Sequence, residues 1–245
     1  MNDVFKREKI IWEAQIRSIG KKYQAFNYIE KLPEYKIRFV SDLKIIKYAM
    51  QILNKTNPIT LNINIGFMLN KSFDFTSTTF HEFTHICDYT FLLNNKDDEY
   101  KESALSLYTE FHASYIQSLF LLGISDINNN QKNDISFNKL EEKITNDTIL
   151  INENIYLYKE NINVENFDAL LKSYMYYYGA IVAYNNWSKT PKCIKSFDFE
   201  FNEQMELFYS ALKFNVLDEK MLYASYMFRT FFDKSIIKIL YDANV

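Results

Sequence analysis

Residues 75–89 read Phe-Thr-Ser-Thr-Thr-Phe-His-Glu-Phe-Thr-His-Ile-Cys-Asp-Tyr. Within them lies His81-Glu82-Phe83-Thr84-His85, an instance of the H-E-x-x-H pattern. Side chains four apart on a helix share a face, so His81 and His85 can aim their imidazoles at one point. Two neutral imidazoles at that spacing suit a zinc ion. Glu82 lies one step round the helix, beside such an ion and not on it, where a general base for a metal-held water belongs. The chain has 3 His and 31 acidic residues among 245, from which chance supplies about 0.005 such matches. The pattern is therefore specific.

Working outward from this stretch, Asp74 or Ser77 can cap its helix, which should run to about Asn94. Just before it, Ile59, Leu61, Ile63 and Ile65 alternate with Thr60, Asn62 and Asn64, the cleanest strand pattern in the chain. Gly66 marks a turn or bulge at its end. Further upstream, residues 4–30 have a helical period, with Gly20 as a point where the helix breaks or bends. Residues 35–40 alternate as a half-buried strand. Ser41-Asp42 can cap a helix over residues 43–53, which Asn57-Pro58 ends.

Downstream, Asn94 to Asp98 form a polar turn, and a helix from Glu99 to about Leu122 follows. One of its faces carries Leu105, Tyr108, His112, Tyr115, Ile116 and Leu119. The other, of mostly small residues, carries Ser103, Ser106, Ala113 and Ser114, allows another helix to approach closely, and holds Glu110 in its middle. A catalytic zinc usually has three protein ligands and an open position, and two His plus one Glu is a known set. Glu110 is thus the candidate third ligand, ahead of Glu99 and Glu102, which sit close to the turn. His112 is a core residue by its apolar stripe, with a ligand or donor role as the alternative. Residues 125–164, rich in Asn, read as a connector or insertion with a small hairpin over Ile149–Tyr158. Residues 165–188, 201–214 and 218–241 read as helices. Gly179-Ala180 can admit a close neighbour, and Tyr176-Tyr177-Tyr178 reads as aromatic core, with an oxyanion-donor role as the sharper alternative.

Composition bounds the rest. The hydrophobic share is 48% with 21 Phe and 19 Tyr, which is globular and not disordered. Only 4 Gly and 3 Pro favour long helices. A net charge of −3 disfavours nucleic acid as a partner. The charged N-terminus lacks the apolar run of a signal peptide, and no apolar stretch reaches membrane-span length. Cys87 and Cys193 fit a reduced, cytoplasmic chain, with Cys87 as packing on the metal helix and one disulfide left open.

The alternating strand, then Thr79-Phe80-His81-Glu82-Phe83-Thr84-His85-Ile86-Cys87-Asp88-Tyr89, then Glu110-Phe111-His112-Ala113, resembles the zincin metallopeptidases. The downstream Glu makes it most similar to the gluzincin type, and the Glu-x-x-Ala form resembles small bacterial and phage-borne zincins of the ImmA/IrrE kind. The resemblance covers roughly residues 35–122. It implies zinc on His81, His85 and Glu110, Glu82 as general base and proton carrier to the leaving amine, and a peptide or protein substrate. It also implies a helix packed on a small sheet whose last strand, here Ile59 to Ile65, lines the cleft and could take a peptide along its edge. Asp88 is suggested as an acceptor for a ligand imidazole N–H. The expected fold class is α+β, predominantly helical: a zincin-like core over 1–124, the Asn-rich connector over 125–164, and an α-helical region over 165–245 packed on the same core. The alternative function is a zincin-shaped binding or regulatory protein that cleaves nothing. The oligomeric state is not set by the sequence.

Overall fold

Strand β3 (Ile59–Asn64) lies between two others in a sheet of order β1-β3-β2. β1 (Tyr35–Val40) runs parallel to it in the register Tyr35 to Ile59 through Val40 to Asn64, and β2 (Met50–Asn54) runs antiparallel, with an irregularity between Ile52 and Asn54. This is a computed structural model, and it describes residues 3–41, 50–54, 58–68, 74–93, 99–124, 137–213 and 219–242. The chain divides into two compact units, residues 1–94 with 123–131, and residues 95–122 with 132–245. The division does not follow the boundaries expected at 124 and 164: the helix that carries Glu110 groups with the C-terminal helices.

In the first unit, α1 (Asp3–Asn27) and α3 (Phe75–Leu93) pack on the same face of β1, and the short α2 (Ile65–Met68) follows β3. One face of the sheet is apolar: Ile59, Leu61, Ile63 and Met50 are all buried there. Trp12 of α1 lies against Phe39 of β1, and Tyr35 of β1 meets Phe83 of α3 edge-on. Tyr23 and Phe26 of α1 meet Phe80 at T-shaped angles. Each such aromatic pair adds about 0.5–1.5 kcal/mol beyond its burial. α1 runs unbroken through Gly20. A Cβ there would lie 3.0 Å from Leu32 Cδ1 and 3.3 Å from Phe83 Cζ, so the glycine allows close packing.

Three expectations are corrected here. Met50–Asn54 is a strand and not the end of a helix; residues 42–49 lie outside the described ones. The ladder to β3 decides this, and local periodicity cannot reveal a ladder. Ile65 belongs to α2 and not to the strand. And β3 has both edges hydrogen-bonded, so no peptide can pair along it. Asn62 and Asn64, on the other face of β3, are also buried, at 2% and 1% exposure. Backbone groups meet these amides locally: Asn62 Nδ2 donates to Thr60 O, and Asn64 Oδ1 accepts from Gly66 N–H.

The second unit is helical: α4 (Glu99–Leu121), α5 (Asn138–Glu160), α6 (Val164–Trp187), α7 (Asn202–Leu212) and α8 (Glu219–Asp242). α6 crosses α4 with almost no separation. A Cβ on Gly179 would fall 2.5 Å from Phe111 O and 2.7 Å from Tyr115 N, both backbone atoms. Ser114 Oγ donates to Tyr176 O at 2.6 Å in the same crossing. Of the small residues of α4, Ser114 lies in this contact.

The hairpin expected over Ile149–Tyr158 is instead part of α5. Leu140, Ile144, Asp147, Ile151, Ile155 and Tyr158 are buried at three- and four-residue intervals, a single helical stripe, within a composition whose Asn and Thr mimic turns. Residues 125–136 of the expected connector lie outside the described residues. An irregular strap, Ser188 to Phe201, closes over α6. Its Phe197 and Phe199 are buried, and Asn202 organises it by accepting from Phe197 N–H and donating to Ser196 Oγ. Arg229 of α8 pairs with Asp168 of α6 and with Asp233 on its own helix. Trp187 ends α6 in a buried position.

Candidate metal centre

Helix α3 begins where Asp74 caps it, Oδ1 accepting from Ser77 N–H at 3.0 Å. Three threonines on this helix, Thr79, Thr84 and Thr90, return their hydroxyls to the carbonyl four residues back. Tyr23 of α1 then donates its phenol to Thr84 Oγ1 at 3.0 Å in a buried contact. This fixes the roll of α3. With Phe80, Phe83 and Thr84 turned into the first unit's core, His81 and His85 share another face.

Their imidazoles converge. Nε2 of His81 and Nε2 of His85 are 3.0 Å apart, and the ring planes stand at 80°. Two nitrogens on a tetrahedral zinc, each at about 2.05 Å, lie about 3.3 Å apart. The observed spacing differs by a few tenths of an ångström. Without a metal the same distance accommodates one N–H···N hydrogen bond between neutral rings. His85 is buried at 6% exposure and His81 is half-buried. Glu82 is buried at 7%, its carboxylate held out of bulk water, and Asp88 is buried at 4% one turn beyond His85.

In the second unit, Glu110 is half-buried at mid-length of α4, one turn before Ser114. His81 and His85 bring their ring nitrogens together within the first unit, and Glu110 of the second unit has the chemistry of a third ligand. Two imidazole nitrogens and a carboxylate oxygen suit zinc by donor type.

The other candidates separate clearly. His112 is outside this group and packs its ring against Tyr108, with centroids 5.6 Å apart. The side chains of Glu99 and Glu102 lie outside the described residues. Tyr177 and Tyr178 are core: the Tyr177 phenol accepts from Lys195 N–H, and burial pushes the Tyr178 phenol far up. Cys87 and Cys193 are both free thiols. Burial, reinforced by the charge of Asp88, pushes the Cys87 thiol up from its ordinary 9.0 to about 12. That makes it a packing group and a poor nucleophile. Asp88 is close enough to act on Cys87, which places its charge on the Tyr23 side of α3 as well as along the histidine stripe.

One side chain was not singled out from the sequence. Tyr89 stacks on His85, and the available signal was its spacing of four residues from that histidine. No protein-family model, no curated protein and no solved structure matches the chain. Among the described residues, no helix is long and apolar enough to cross a membrane.

Proposed function

We propose that the protein is a zinc-dependent peptidase of the zincin type, with His81, His85 and Glu110 as ligands and Glu82 as general base. The observation that carries this reading is the 3.0 Å approach of the two Nε2 atoms with Glu82 buried between them in sequence. Ligand chemistry supports Glu110 as the third ligand, since two imidazoles and one carboxylate are a known catalytic zinc set. A bound zinc would supply Lewis acidity to a water and to the scissile carbonyl. Glu82 takes a proton from the attacking water on its carboxylate and hands it to the nitrogen of the departing amine.

The substrate is a peptide or protein chain in extended form. With both edges of β3 taken, the edge strands of the described sheet are β1 and β2, and β2 is the one that packs on the metal helix. β2 is tied to the metal helix where Thr79 Oγ1 meets Met50 Sδ at 3.6 Å. A substrate strand added there would gain main-chain hydrogen bonds irrespective of its sequence. A cytoplasmic location belongs to the same proposal and draws support from the two free thiols.

The test is elemental analysis of the purified chain, followed by turnover of a peptide library. One zinc per chain is expected, lost in the His81→Ala and His85→Ala variants. Glu82→Gln should keep the zinc and lose roughly 10²–10⁴-fold in turnover, the usual weight of a general base. A metal-bearing wild type that cleaves nothing would favour a binding or regulatory protein. Undiminished turnover in Glu82→Gln would sink the mechanism.

A further inference from the structure

Tyr89 covers one face of the His85 imidazole. The rings are stacked, with centroids 6.0 Å apart and planes inclined by 23°. This contact differs in kind from that between His81 and His85, whose rings meet nearly edge-on. Residues 81, 85 and 89 thus form a file of three rings along α3, each four residues from the next.

An imidazole ligates through a lone pair that lies in the ring plane. Turning His85 about its Cβ–Cγ bond would therefore swing Nε2 away from His81 Nε2. A ring lying nearly parallel to the imidazole resists that turn, because the turn exchanges an offset stack for steric overlap. We propose that Tyr89 is a positioning residue for the metal pair, its ring holding His85 in the rotation that directs Nε2 toward His81. The inference rests on the reading of His81 and His85 as ligands. The ring face does the work in this account and not the phenol, so Phe should replace Tyr89 and Leu should not.

The experiment compares wild type with Tyr89→Phe, Tyr89→Leu and Tyr89→Ala. Zinc affinity is measured by competition with a chromogenic chelator, the ligand field by the visible spectrum of the cobalt(II)-loaded protein, and the fold by circular dichroism. Tyr89→Phe should bind zinc within about twofold of wild type with the same cobalt bands. Tyr89→Leu and Tyr89→Ala should bind about 3- to 10-fold more weakly, the span of one stacked pair, with shifted cobalt bands. Wild-type affinity and an unchanged cobalt spectrum in Tyr89→Leu would overturn the inference, as would equal loss in Tyr89→Phe. If Tyr89→Ala fails to fold, the contrast of Phe with Leu decides. A wild-type chain that takes up neither metal refutes the ligand reading itself and this role with it. Metal binding that is indifferent to the ring at 89 refutes only the role.

Discussion

At the level of single residues, the roll of the metal helix depends on one hydroxyl pair. Tyr23 donates to Thr84, and Thr84 donates to Phe80 O, so a buried chain of hydroxyls runs from α1 into the backbone of α3. Thr84→Val keeps the volume and removes the acceptor. The Cys87 thiol remains within reach of the Tyr23 phenol, which limits the cost to about 1 kcal/mol in urea unfolding. Cys87 itself makes a pH prediction. The folded chain holds the thiol proton more tightly than the unfolded chain does, because burial disfavours the thiolate. The associated stability is whole below the ordinary value of 9.0 and is lost as pH rises toward about 12. Unfolding midpoints should therefore fall between those limits, and a Cys87→Ala variant should lose part of that slope. A disulfide-exchange reagent at pH 8 should modify Cys193, which is exposed, well before Cys87.

At the level of elements, Gly20 and Gly179 predict different outcomes. Gly179→Ala would drive a methyl into Phe111 O and Tyr115 N, backbone atoms that cannot move aside alone. The α4–α6 crossing must open, at a cost of about 1–3 kcal/mol. Gly20→Ala meets the movable tip of Leu32 and, less closely, the Phe83 ring, side chains and not backbone, and alanine's helix propensity returns up to about 1 kcal/mol. That variant should be near neutral in the same unfolding experiment. Element reading from the sequence succeeded and failed for identifiable reasons. α3, with Asp74 as its cap, and α4, α6, α7 and α8 carry apolar stripes at helical spacing, and a stripe is visible without knowing what it packs against. β2 was missed because its identity comes from pairing with β3. α5 was missed because Asn146, Thr148, Asn152 and Asn154 outweighed the stripe of Leu140, Ile144, Ile151 and Ile155. The central place of β3 was also hidden: alternation of Ile with Asn reads as one wet face, and Asn62 and Asn64 turn out to be dry.

For the whole molecule, the candidate site was more legible than the topology around it. The spacing of His81 and His85 alone specifies a shared face, whereas Glu110 could be proposed only from ligand chemistry, since 25 residues of chain separate it from His85. The proposed zinc gives a bulk prediction. A ligand that binds only the folded chain stabilises it by about 2.7 kcal/mol when free ligand is 100-fold above Kd. For a chain of this size that is a rise in Tm of roughly 5–10 °C. Chelator-treated protein should melt lower by that amount and recover when zinc is restored. A melting curve insensitive to both treatments would argue against a bound ion.

The chain has two tryptophans, Trp12 against Phe39 beside the sheet and Trp187 at the end of α6, and both are shielded from solvent. They fall in different compact units. Single Trp→Phe variants therefore leave one intrinsic emitter each, and the red shift of each on denaturation follows one half of the chain without any added label. Coincident transitions would mean that the halves lose structure together; separated ones would rank them by resistance.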